Sequence, residues 1–287
     1  MEISQNFVKA KRPCADGYRW YLRNRDGGTD YQDLLDTLVR QHRVSDACWL
    51  LDQFGPTDTV LEADAIAAQA LVFAGSLIVR GDVHVDTVLR AGGAIRAGAG
   101  LRAGEAIQAG DAIETDGAIH CGGILQAGAD VRAGWSADVA GTLQCAGILR
   151  VRGALHCGDR LSAGSGLLVG ADLHARGALH CGKGLRTGGS LYAEDLVRVA
   201  CGIESGADIE AGLHLEAGWG IKAGGDIRAH GAIRAGEGIE ATGEILPGAG
   251  YGVHAGLSVR LEDWPHSARV RASARPAALL SGHWEAP

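Results

Sequence analysis

The sequence predicts an all-β fold: a single-stranded parallel β-helix of about 18 residues per coil with a small α-helical N-terminal cap. Three observations carry this. An aliphatic residue recurs every six positions from Leu77 to Leu257, as in Leu77, Val83, Leu89, Ile95 and Leu101; only Ala137 and Tyr251 interrupt it, and no residue is gained or lost. A row of small residues follows two positions later (Ala97, Ala103, Ala109, Thr115, Cys121), with polar residues between the rows (Arg96, Arg102, Gln108, Glu114, His120). A glycine usually comes next, as at Gly98, Gly104 and Gly110. Alternation by two is the strand signature, and a helical period of 3.6 gives no clean period of six. The repeat unit is therefore a three-residue strand and a corner, at which glycine supplies the positive φ that other residues avoid.

Strands this short form no free sheet. Three hexads per coil stack each strand on its equivalent one coil away, giving a triangular prism of about ten coils at ~4.8 Å each. Each buried aliphatic contributes on the order of 1.5–3 kcal/mol, against ~1–2 kcal/mol to order each residue. The small inner row and the coil-to-coil hydrogen bonds must therefore supply the balance.

In chain order, the division is a helical cap over residues 1–70, the β-helix over 71–259 and a C-terminal cap or tail over 260–287. Residues 1 to about 12 read as a polar lead-in, and residues 14–24 mix aromatic and basic side chains. Asp30 caps an amphipathic helix with Tyr31, Leu34, Leu35, Leu38 and Val39 on one face. Ser45 is the expected N-cap of a second helix bearing Trp49, Leu50 and Phe54, stopped by Gly55-Pro56. Val60, Leu61, Ile66 and Leu71 are expected to point inward on the approach to the first coil, and Trp264, Leu279, Leu280 and Trp284 to sit on the last one. Covering both ends guards against edge-to-edge stacking.

The net charge of −7 is mild and well mixed, which argues against nucleic acid as a partner. No signal peptide or membrane-spanning apolar run is read, and the seven cysteines form no CxxC motif. Cys121, Cys145, Cys157 and Cys181 fall in the small inner row as buried thiols, so a reduced cytoplasmic protein is expected.

Stacking in eighteens sorts the outward residues into three faces. One collects Arg102, His120, Asp138, His156, His174, Tyr192 and Glu210, where His156 and His174 become neighbours. These two point either to a metal pair or an acyl-transfer base, or to an ordinary solvated face; no metal and no cofactor is assigned, since a zinc site needs three or four ligands. A second face carries Gln108, Gln126 and Gln144, an amide ladder. The third carries Arg132, Arg150 and Arg186 with interleaved glutamates: an anionic partner surface or plain charge pairing. Trp135 and Trp219 stand at corners, either as binding hot spots or folded over local gaps. There is no GxSxG, phosphate loop or HExxH, so no catalytic residue is assigned and the chain is read as no enzyme.

The runs at 75–86 (GSLIVRGDVHVD) and 222–245 resemble the β-helical repeats of bactofilin-like proteins, over about two thirds of the chain. That resemblance implies a right-handed, non-catalytic coil able to polymerise; the bactofilins' tails are short and disordered, whereas both ends here look folded. The pattern Cys14-x-x-Gly17-x-x-Trp20 followed by helices resembles a small helical module heading assorted bacterial and phage proteins. Hexapeptide acyltransferases place their small residue two before the aliphatic, the reverse of the order here.

The expectation is a non-catalytic β-helical binding protein, an inhibitor or immunity protein that masks a bacterial toxin or effector. Its partner is a protein, with no nucleic acid and no membrane, and the chain is a monomer or small homo-oligomer. Partner binding is assigned to Trp135, Trp219, Tyr192, His156 and His174. A bactofilin-like structural polymer is the alternative, and an acyltransferase-like enzyme the third reading.

Overall fold

The computed structural model describes residues 5–24 and 30–286; residues 1–4 of the expected lead-in, 25–29 of the helical cap and 287 of the tail lie outside the described residues. Thirty-six three-residue-scale strands stack in parallel into three sheets of 13, 11 and 12 strands, the three faces of a solenoid of about 12 coils. The register is that of the hexads: Ile113 lies between Ile95 and Val131, each 18 residues away. Backbone hydrogen bonds run from coil to coil, as from the Ile95 N–H to the Ala112 carbonyl at 2.9 Å.

Every hexad residue from Leu77 to Ile245 is 2% exposed or less, and the small row lies beside it in one continuous core. The inner-row polar residues remain satisfied: Ser205 Oγ donates to the Gly189 carbonyl at 2.7 Å and Thr187 Oγ1 to the same oxygen at 3.0 Å. Cys121, Cys145, Cys157 and Cys181 are buried free thiols.

The corner glycines work differently from expectation. Among the described glycines positive φ occurs at Gly55, Gly250, Gly256 and Gly282, none of them a hexad corner. Close approach is the constraint instead: a Cβ on Gly98 would stand 2.1 Å from the Arg80 carbonyl oxygen one coil below. At Gly98 and its glycine equivalents the stacked backbone leaves room only for hydrogen, while other corners carry side chains such as Asp116, Ala140 and Arg152.

Among the described residues four helices precede the solenoid: α1 (Gln5–Ala10), α2 (Ala15–Asn24), α3 (Tyr31–Arg40) and α4 (Val44–Phe54). Asp30 caps α3 through the Gln32 N–H, as expected. Helix α4 starts one residue before Ser45; its N-cap is Arg43, with no side-chain hydrogen bond. Arg43 instead bridges α2 and α4 through Asp16 at 2.8 Å and Asp46 at 2.6 Å.

The solenoid begins at Val60. Strands β1 (Val60–Ala63), β2 (Ile66–Ala68) and β3 (Leu71–Phe73) form the first coil. Leu61 pairs with Leu77, Ile66 with Val83 and Leu71 with Leu89, offsets of 16, 17 and 18, so two early corners are one residue short. Leu61, Ile66 and Leu71 pack against the core, but Val60, expected inside, is 51% exposed. Helices α3 and α4 pack on β3. There the Gln32 amide takes the place of a missing strand, donating to the Val72 carbonyl at 3.1 Å and accepting from the Ala74 N–H at 2.9 Å. β1 and β2 are the terminal strands of the other two sheets.

At the far end the hexad breaks. Val253 pairs with Ile233, an offset of 20, and Val270 pairs with Ile239. The two extra residues leave Tyr251 and Leu257 outside, 49% and 56% exposed, while Val253 and Val270 take the inner places. The C-terminal segment therefore adds strands Arg269–Arg271, Leu279–Ser281 and His283–Trp284 to the prism, with a short helix α5 (Trp264–Ser267) beside them. Leu279 and Trp284 pack on the core as expected, whereas Leu280 is exposed.

Candidate functional site

Face 1 is the sheet that begins with β1, face 2 with β2 and face 3 with β3. Their outward rows follow from the register, so the five candidate residues can be placed. His156, His174 and Tyr192 lie in successive coils of face 2. The two imidazoles meet edge to face with centroids 6.0 Å apart, and the His174 and Tyr192 rings are 4.7 Å apart. Asp138 precedes them and Glu210 follows. Among the described residues no three His, Cys, Asp or Glu side chains gather as a metal site requires. The stack is a ladder of aromatic rings along a flat face.

On face 3, Gln108, Gln126 and Gln144 are aligned as expected. The hydrogen bond there runs from Arg90 to Gln108 at 2.6 Å, with Arg90 also paired to Asp52 of α4. This anchors the helical module rather than forming a site.

The two tryptophans flank face 1 from opposite edges. Trp135 follows the face 1 strand Val131–Ala133, and Trp219 precedes the face 1 strand Ile221–Ala223. Neither folds over a gap: they are 74% and 57% exposed. Along the edge of Trp135, Gly117 lies one coil below and Gly153 one coil above, hydrogen-bonded to it through the backbone, so neither equivalent position brings a side chain to the indole. Trp219 shares its edge with Lys183, Cys201 and Glu237.

Trp219 opens into a groove of about 980 Å³, floored by Leu168, Arg186, Glu204, Lys222 and Glu240 of face 1. Its far wall is His266 and Ser267 of α5 with Arg269, so the C-terminal segment turns a flat face into a concave one. A second groove of about 490 Å³ runs along the other edge of the same face, among Arg96, Arg132, Arg150 and Arg152 with Glu114 and Asp116. Glu114 is shared by Arg96 at 3.3 Å and Arg132 at 3.0 Å, and Glu204 binds Arg186 at 2.5 Å. Among the described residues Arg150, Arg152, Lys183 and Lys222 have no ion-pair partner.

The structure thus separates the five candidates into a ring ladder on face 2 and a tryptophan pair bordering face 1. Lys183 and Arg152 were missed by the sequence reading although the 18-residue register places them beside the tryptophan edges. The α5 wall left no sequence signal, because it lies beyond the repeat.

A mostly apolar, partly open cavity of about 160 Å³ lies in the helical module, among Trp20, Tyr21, Leu34, Leu38 and Trp49. No described helix is long and apolar enough to cross a membrane.

Residues 1–55 match the family model of the YdhT N-terminal domain. The match spans α1 to α4 and stops before the first strand. No curated protein and no solved structure matches the chain. The likeness to bactofilin repeats therefore stays a likeness of pattern.

Proposed function

We propose that the chain is a non-catalytic scaffold that holds a protein partner against face 1, and that it acts as an inhibitor or immunity protein masking a bacterial toxin or effector. The observation that carries this reading is Trp219, an indole 57% exposed at the mouth of the face 1 groove, where it leaves apolar area for a partner to cover. Exposed tryptophans beside pockets are the residues that most often dominate protein interfaces. The backbone under the groove is already ordered by coil-to-coil hydrogen bonds, so docking costs little conformational entropy. A rigid, extended face suits covering another protein's working surface.

The test is to purify the tagged full-length chain from its native cells with its mass in solution, beside Trp219→Ala. A stoichiometric partner on a monomeric chain, lost in the variant, supports the reading. A partner-free assembly of very high mass overturns it.

That second outcome belongs to the bactofilin-like polymer. One observation favours it: β1 and β2 are terminal strands of their sheets, so two of three edges at that end lack the Gln32 clamp that covers β3.

A further inference from the structure

Resting on the binding reading above, we infer that the partner presents an acidic protein surface, lying diagonally across face 1 from Trp135 to Trp219. Arg132, level with Trp135, and Lys222, level with Trp219, are five coils apart, roughly 24 Å at ~4.8 Å per coil. That is the span of a standard protein interface.

The charges on this stretch give the partner's chemistry. The chain as a whole carries −7. Yet on this stretch and the coil flanking it at each end, the acids Glu114 and Glu204 are taken up by neighbouring arginines. Glu240 lies 4.0 Å from Arg271. What remains unpaired among the described residues is Arg150, Arg152, Lys183 and Lys222 against Asp116 and Glu237. A local excess of free cations on an acidic protein steers and orients an acidic partner. At the centre, between Arg150 and Arg186, the outward residue is Leu168, which offers apolar contact midway between the indoles.

A nucleic acid fits this face poorly. A phosphate backbone binds through an unbroken cation row that releases counterions, and Glu114, Asp116, Glu204 and Glu237 interrupt it here. A protein surface, with acids spaced among apolar side chains, matches the mosaic.

The experiment uses the full-length chain and three labelled probes read by fluorescence anisotropy. These are a 20-residue peptide of alternating Glu and Leu, its Lys counterpart, and a 20-nucleotide single-stranded DNA. The Glu peptide is expected to bind, more tightly at low salt, and the Lys peptide not to bind. Reversing charge with Arg150→Glu and Arg152→Glu together should weaken the Glu peptide at least about tenfold. Arg102→Glu on face 2 should leave it unchanged, and the neutral pair Arg150→Gln and Arg152→Gln should fall between, which separates lost charge from lost folding. No binding of the Glu peptide, or binding indifferent to the reversal, overturns the inference. DNA binding tighter than the Glu peptide overturns the choice of a protein partner. If Trp219→Ala loses the cellular partner while the reversal has no effect on the peptide, the binding function stands and the acidic-partner inference falls. If the peptide behaves as expected but cells yield only partner-free filaments, the function falls and the charged face remains.

Discussion

Gln32→Ala removes one side chain and should uncouple the helical module from the solenoid. The amide of Gln32 stands where a strand of the preceding coil would be, holding the Val72 carbonyl and the Ala74 N–H. Both residues are 1% exposed, so neither group finds water once the amide is gone. A buried backbone group left unsatisfied costs about 1–3 kcal/mol, and two groups sharing one gap give about 2–4 kcal/mol in total. Urea denaturation reads this, with Trp20 and Trp49 fluorescence reporting the helices and far-UV circular dichroism the coils. At an m-value of about 1 kcal/mol per molar for so small a unit, the helical midpoint should fall by about 2 M or more. The solenoid transition should hold, because each coil leans only on its neighbours. Gln32→Glu adds a check: at neutral pH its carboxylate accepts from Ala74 but has no proton for Val72, and acidification supplies one. An unchanged helical midpoint, together with an Ala74 amide that exchanges as slowly as before, would refute the reasoning.

Further predictions concern the core, the thiols and the edges. Ile227→Asp puts an unpaired charge where the side chain is fully buried and should cost several kcal/mol; Arg228→Asp loses one exposed bridge to Asp226, worth under about 1 kcal/mol. Thermal melts that treat the two alike would reverse inward and outward. Burial pushes the Cys145 thiol up to about 11, from an ordinary value near 9. Its folded value is the higher one, so the stability it lends is complete below pH 9 and fades as pH climbs toward 11; denaturation at pH 8 and 10.5 should show the loss, and Cys145→Ala should reduce it. A thiol reagent at pH 8 should label exposed Cys14 before the four buried inner-row cysteines, as peptide mapping would show. Trp135→Ala and Trp219→Ala should each change stability by no more than about 0.5 kcal/mol, since both rings are largely in water.

The hexads made most of the fold legible. Strict spacing marks the inner row from Leu77 to Ile245 because every coil closes on the same 18 residues. The pattern misled where coil length changes. Tyr251 and Leu257 keep the six-residue beat yet lie outside, because the two extra residues ahead of Val253 shift the chain. Val253-His254-Ala255-Gly256 and Val270-Arg271-Ala272 keep the aliphatic, polar, small order, but they fall off the six-residue beat, so the strict spacing passed them over. Glycine was recognisable as a corner residue, but its reason was a carbonyl one coil away, a contact between residues 18 apart that local backbone rules do not describe. For the candidate site, the register placed His156 beside His174 and Arg132 beside Arg150. It did not reveal that face 1 is concave, since the wall comes from α5.

The constant rise of the coils makes the separation of the two tryptophans a ruler with discrete marks. Removing any 18 consecutive residues between them deletes one coil, preserves which face every remaining side chain occupies, and brings the indoles closer by ~4.8 Å. Duplication lengthens the interval by the same step. A scaffold of this kind tunes the spacing of its contacts by whole coils, without redesigning a core or turning a residue away from its face.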